Sequence, residues 1–119
     1  MRSKKNHPLY NQLLDIIKTS PHYLPSTVWS SVKMICQEFG TTLTDRILSD
    51  YEVKTISIFI ENHLNYLTDL CDDTQLYDAH GYISDCMDWF LKTAIKMEYY
   101  EAATNISKVQ DFLCIKVLK

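Results

Sequence analysis

Ser49-Asp50-Tyr51-Glu52-Val53-Lys54-Thr55-Ile56-Ser57-Ile58-Phe59-Ile60-Glu61-Asn62-His63-Leu64-Asn65-Tyr66-Leu67-Thr68-Asp69-Leu70 is the stretch whose reading decides the fold. Its first four residues have the form of a capping box. Ser49 is placed to accept from the backbone N–H three residues on, and Glu52 to reach back to the N–H of Ser49. Behind the cap, Val53, Ile56, Ile60, Leu64 and Leu67 recur every three or four residues, and Leu70 or Cys71 extends the row. That is one apolar stripe along a helix. Thr55-Ile56-Ser57-Ile58 taken alone favours a strand, but the helical period holds over the longer window and outweighs it. The spacing predicts a helix from about Asp50 to Leu70, the longest clear one in the chain.

The same period continues on both sides. Pro8 suits a first helical turn with Asn6 or His7 as cap, and Leu9, Leu13, Ile16 and Ile17 follow until Ser20-Pro21 stops the helix. Pro25-Ser26-Thr27 opens a second helix with the stripe Val28, Val32, Ile35 and Phe39, widened by Trp29 and Cys36. Gly40 is expected just past its end in a left-handed cap. Thr41-Thr42 is expected to restart a short helix carrying Leu43, Ile47 and Leu48. Downstream, Cys71 to Asp78 reads as a polar connection. A helix from about Ala79 uses Ile83, Met87, Phe90, Ala94 and Met97, and a last one, from about Tyr99 to Val117, uses Ala102, Ile106, Val109, Leu113 and Val117. Lys116 and Lys119 lie near its end, where the helix dipole favours cations. The fold class is all-α: a single domain over residues 1–119, one bundle of five or six helices ending in a helical hairpin.

Bulk composition agrees. A chain of 119 residues fits one domain, and a domain of that size buries roughly two-thirds of its unfolded surface. Only two glycines and three prolines are present, too few for the many tight turns of a β-sandwich. No apolar run approaches the roughly 18 residues of a membrane span. Met1-Arg2-Ser3-Lys4-Lys5 is basic like the start of a signal peptide, but His7-Pro8-Leu9-Tyr10-Asn11-Gln12 is too polar to continue one. Cys36, Cys71, Cys86 and Cys114 are scattered without a C-x-x-C pair, and they read as small reduced core residues. These features point to a cytoplasmic protein.

Charge is unevenly spread. From Thr55 to Leu91 there is no Lys or Arg, while Glu61, Asp69, Asp72, Asp73, Asp78, Asp85 and Asp88 give −7; the rest of the chain carries all 12 basic residues against 8 acidic ones. Tyr66, Tyr77 and Tyr82 are interleaved with these carboxylates. Tyr supplies rigid contact area and the like charges steer a basic partner. The candidate partner-binding residues are therefore Tyr66, Asp69, Asp72, Asp73, Tyr77, Asp78, Tyr82, Asp85 and Asp88. Such a surface suits a Lys/Arg-rich protein, or the nucleic-acid channel of one, where it would mimic phosphates. The competing reading of the same aspartates is a solvated connection with N-cap aspartates. Direct nucleic-acid binding is disfavoured, since the basic cluster is only Arg2, Lys4 and Lys5 and the pI is about 5.7.

Catalytic motifs are missing. With only Gly40 and Gly81 there is no glycine-rich phosphate loop, and no G-x-S-x-G or H-E-x-x-H occurs. Cys71, His80 and Cys86 have spacings unlike structural zinc sites. Asp72, Asp73 and Asp78 lack the alternation, mid-loop Gly and closing Glu of a calcium loop. No catalytic, metal or cofactor residue is assigned, and no cofactor is expected. An unrecognised site around His63 or His80 is the enzyme alternative.

The stretch from Ala94 to Ile106 resembles the UVR motif, the short helical hairpin of bacterial excision-repair proteins. The pattern A-I-x-x-E-x-Y-E-x-A falls on Ala94, Ile95, Glu98, Tyr100, Glu101 and Ala103. Thr104 stands where the motif usually has a second Ala, Ser107-Lys108 replaces its Arg-Asp pair, and Gln110 replaces its next aliphatic residue. The likeness covers residues 87–113, and it implies protein–protein contact through the hairpin without chemistry. Read from the residues alone, the hairpin serves its own core, with Ala102 and Ala103 allowing close approach. Two non-catalytic classes follow: an adaptor or inhibitor docking a protein through the acidic tyrosine face, and a subunit of an oligomeric or phage assembly packing through the hairpin.

Overall fold

The computed structural model describes residues 8–18 and 24–117, with side chains through Leu113. Five helices occupy the described residues: α1 Pro8–Lys18, α2 Ser26–Gly40, α3 Asp50–Leu70, α4 Asp73–Lys96 and α5 Tyr100–Val117. The expected Ser20-Pro21 stop, the Asn6 or His7 cap, the basic cluster Arg2, Lys4 and Lys5, and the side chains of Cys114, Lys116, Val117 and Lys119 lie outside them.

The stripes read from the sequence meet in one core. Val28, Val32, Ile35 and Phe39 of α2, Ile60 and Leu67 of α3, Phe90 and Ala94 of α4, and Ala102, Ile106 and Val109 of α5 are all but completely buried. α2 packs on α3 and α4, and α5 packs on the same two, whereas α3 and α4 meet each other only marginally. The four long helices thus form a ring in the order α2–α3–α5–α4, with α3 and α4 on one diagonal. α1 lies against α2 and closes that side. The hairpin α4–α5 is the most extensively packed pair, and its inward residues are core.

The cap on α3 has the expected form: Glu52 N–H donates to Ser49 Oγ at 3.1 Å, and Ser49 N–H donates to Glu52 Oε1 at 2.9 Å. Arg46 adds a two-pronged ion pair to the same carboxylate at 3.0 and 2.6 Å. The pair and the Ser49 bonds together hold Glu52 down at about 2.

Four expectations are corrected. Gly40 is not a left-handed cap: it is the last residue of α2 and has no positive φ. The helix ends instead because the Thr41 and Thr42 hydroxyls donate to the carbonyls of Glu38 (2.6 Å) and Phe39 (2.7 Å), supplementing their own N–H groups. The small residue at 40 serves packing, since a Cβ there would lie 2.8 Å from Tyr10 and 2.9 Å from Leu13.

Second, Thr41 starts no helix. Residues 41–49 are irregular, with Leu43 and Leu48 buried and Ile47 exposed. Third, the connection after α3 is only Cys71-Asp72, and α4 begins at Asp73 rather than Ala79. Asp72 caps it, accepting from Gln75 N–H at 2.8 Å while Gln75 Oε1 accepts from Asp72 N–H at 3.1 Å. That second capping box makes α4, at 24 residues, longer than α3 at 21. Fourth, Met97 is not core but 46% exposed. It ends α4, followed by Glu98 at φ 66°. Tyr99 N–H bonds back to Ala94 O (2.8 Å) and Glu98 N–H to Ile95 O (3.1 Å), a Schellman closure with Glu98 where Gly is usual.

Candidate functional site

The long α4 carries most of the candidate residues, and its periodicity sorts them. Ala79, Ile83, Cys86, Met87, Phe90 and Ala94 are its buried side. At 3.6 residues per turn, Asp73, Tyr77, Asp78, Gly81, Asp85 and Asp88 fall within an outward arc of about 140°. Tyr77 is 79% exposed, and Asp73, Asp85 and Asp88 are exposed, with Asp78 half-buried. Among the described residues, no cation lies within ion-pair distance of any of these aspartates; the ion pair seen is Arg46–Glu52. Lys92 and Lys96 come only in the last turns of the helix.

The remaining candidates are placed differently. Asp72 lies at the foot of α4 with its carboxylate engaged as the N-cap. Tyr82 is half-buried and meets Trp29 of α2 edge-on, ring centroids 5.3 Å apart, so it serves the α2–α4 seam. Tyr66 and Asp69 are exposed but belong to α3, diagonal to α4 in the ring. α3 joins α4 through the Cys71-Asp72 connection that follows them.

Beside this face lies a cleft of about 530 Å³ between α3, α4 and α5. Its walls are Ile60, Leu64, Ile83, Met87 and Leu113, and His80, Ser84, Asp88, Gln110 and Asp111 supply polar groups. Gln110 Nε2 donates to Asp88 Oδ1 at 3.3 Å, tying α5 to α4 there. His80 Nε2 is shielded from water and has no hydrogen-bond partner. Burial pushes the His80 imidazole below its usual value, so the ring is neutral at pH 7. Ser84 lies one turn further along α4 from His80.

His63, Cys36 and Cys86 lie in packed surroundings. His63 stacks on Phe59 with centroids 4.4 Å apart, its Nδ1 3.2 Å from Phe59 O. Cys36 and Cys86 are buried free thiols on the facing helices α2 and α4. A hydrogen bond to Cys86, and then burial, push the Cys36 thiol well above its usual range, which disfavours the reactive thiolate. Among the described residues no three His, Cys, Asp or Glu side chains gather in an arrangement fit for a metal ion. No helix among them is long and apolar enough to cross a membrane.

Asn105 carries a structural role that sequence reading missed. It is fully buried on the inner side of α5. Its Oδ1 accepts from Leu48 N–H at 2.8 Å, and its Nδ2 faces Arg46 O (2.9 Å), Thr42 O and Thr44 Oγ1 (both 3.2 Å). Lys108 Nζ adds a bond to Leu48 O at 3.3 Å. The signal was present: Asn105 stands three residues after Ala102 and four before Val109, on the apolar stripe, where a buried amide demands partners.

Fold and candidate site together define an all-α bundle whose longest helix turns an acidic, tyrosine-bearing face outward beside a mixed apolar and polar cleft. Comparison with protein-family models, curated proteins and solved structures finds no match for the chain.

Proposed function

We propose that the chain is a non-catalytic interaction module, an adaptor or inhibitor, that docks a basic protein on the outward face of α4. The observation that carries this reading is the group Asp73, Asp78, Asp85 and Asp88, without an ion-pair partner among the described residues, spread along the helix face that also carries the exposed Tyr77. Four like charges on one helix face repel one another and meet no cation among the described residues, so their use lies in steering a positive partner. Gly81 supports the reading. It sits at the centre of the face with nothing within 4 Å of where its Cβ would be. A glycine inside a helix costs about 1 kcal/mol relative to alanine. Packing does not require it, whereas close approach of a partner backbone does. The free thiols Cys36, Cys71 and Cys86 fit a reducing cytoplasm.

The test is affinity capture from source lysate with wild type and an Asp73→Asn, Asp78→Asn, Asp85→Asn triple variant, at low and moderate salt. Asp72 is left intact because it caps α4. The expected result is a partner whose recovery falls with salt and falls at least about tenfold in the variant, equivalent to about 1.4 kcal/mol. Equal recovery of every captured protein by both chains would sink the acidic-face reading.

One observation favours a second reading, a subunit of an oligomeric or phage assembly contacting its neighbours through the hairpin. Ile95, Met97 and Tyr100 at the α4–α5 turn are about half exposed, an apolar tip with no cover among the described residues. In that reading the UVR-like segment makes contacts through its tip rather than its buried stripe.

A further inference from the structure

The cleft between α3, α4 and α5 adjoins the acidic face but is chemically unlike it. Its volume of about 530 Å³ lies within the roughly 300–1,000 Å³ typical of ligand sites, with room for more than one large side chain. Its interior is aliphatic, formed by Ile60, Leu64, Ile83, Met87 and Leu113. Asp88 and Asp111 place two carboxylates among the lining residues, and the described lining residues include no Lys or Arg. Neither carboxylate is ion-paired with a described residue. The uncharged His80 adds no positive field. Gln110 donates to Asp88 but carries no charge; an anionic or purely apolar occupant would leave both carboxylates without a counter-charge, whereas an apolar group flanked by cations satisfies walls and rim together. Asp88 belongs to the rim and also to the outward arc of α4, so the cleft is continuous with the docking face.

We propose that this cleft is the anchor site for the basic partner: it takes two apolar side chains, one helical turn apart, from a segment whose Lys or Arg residues reach Asp88 and Asp111. The inference rests on the docking reading above and adds where the partner's apolar contact falls. Asp88 and Asp111 supply orientation and the salt-dependent share of affinity; the aliphatic walls supply the desolvated contact that resists salt.

The experiment uses the full chain, isotopically labelled, and a synthetic alanine-based helical peptide with two leucines one turn apart flanked by lysines. Controls replace the leucines by alanine, or the lysines by glutamate. The leucine–lysine peptide is expected to move the amides of Ile83–Asp88 and Gln110–Leu113 and to bind at least about tenfold more tightly than either control. Ser84→Trp, which fills the cleft from an exposed position on its rim, removes the shifts. Asp88→Asn with Asp111→Asn keeps the volume and flattens the salt dependence. Equal binding of the glutamate peptide, or shifts centred on Tyr77 and Asp85 that survive Ser84→Trp, each overturns the anchor site. The second outcome leaves the acidic docking face standing. Failure of the lysate comparison, which leaves Asp88 and Asp111 untouched, removes the docking face itself.

Discussion

Asn105 lies in the middle of α5 with no exposed surface, and residues 42–48 are wound around its amide. An irregular segment carries backbone groups that no helix satisfies, and one buried side chain here both accepts and donates for it. Asn105→Ala leaves Leu48 N–H and the Arg46 carbonyl without their buried partner. The expected loss is about 3 kcal/mol in denaturant unfolding, with fast amide exchange at Leu48. A loss under about 0.5 kcal/mol, the scale of a neutral surface change, would mean that water replaces the amide and the clasp is ornamental. Single residues were partly legible. The Ser49–Glu52 box is local, so four letters determine it. The Asp72–Gln75 box obeys the same rule, but Asp72, Asp73 and Asp78 together have the composition of a polar connection, which masks it. Asn105 depends on a loop more than fifty residues away, which no local window contains.

At the scale of elements, apolar periodicity placed α2, α3 and α5 closely because each has one continuous stripe facing one neighbour pair. It missed two ends set by side-chain capping, although the Ser49 cap of α3 was legible. The Thr41 and Thr42 hydroxyls close α2, and the Asp72 cap starts α4 two turns before its first core residue, Ala79. The two glycines make the contrast measurable. Gly81→Ala adds a Cβ into open space on α4 and is expected to stabilise the fold by about 0.5–1 kcal/mol. Gly40→Ala pushes into the Tyr10 ring and the fully buried Leu13 and is expected to cost about 1–2 kcal/mol despite the same helical gain. Thermal unfolding of the two variants decides; stabilisation by both would show that α1 is not seated on α2 as described. If Gly81 marks a partner's close approach, the stabilised Gly81→Ala chain also captures less partner.

For the molecule as a whole, the ring order α2–α3–α5–α4 separates what the sequence places together. Tyr66 and Asp69 are near in sequence to Asp72 and Asp73, yet α3 and α4 stand on a diagonal. The candidate face therefore narrows to α4, with Tyr82 drawn into the α2 seam. The cleft was not legible because it arises from three helices that leave space between them, a relation periodicity does not encode. The hairpin was legible as core, since its stripe residues through Leu113, apart from Met97, are buried. The central claim is contact through the outward face of α4. It is tested most directly by hydrogen–deuterium exchange of the full chain, free and bound to its captured partner. The account predicts added protection concentrated in residues 73–88, with the α4–α5 turn around residues 95–101 unchanged. Protection confined to that turn, with residues 73–88 exchanging as in the free chain, would contradict it.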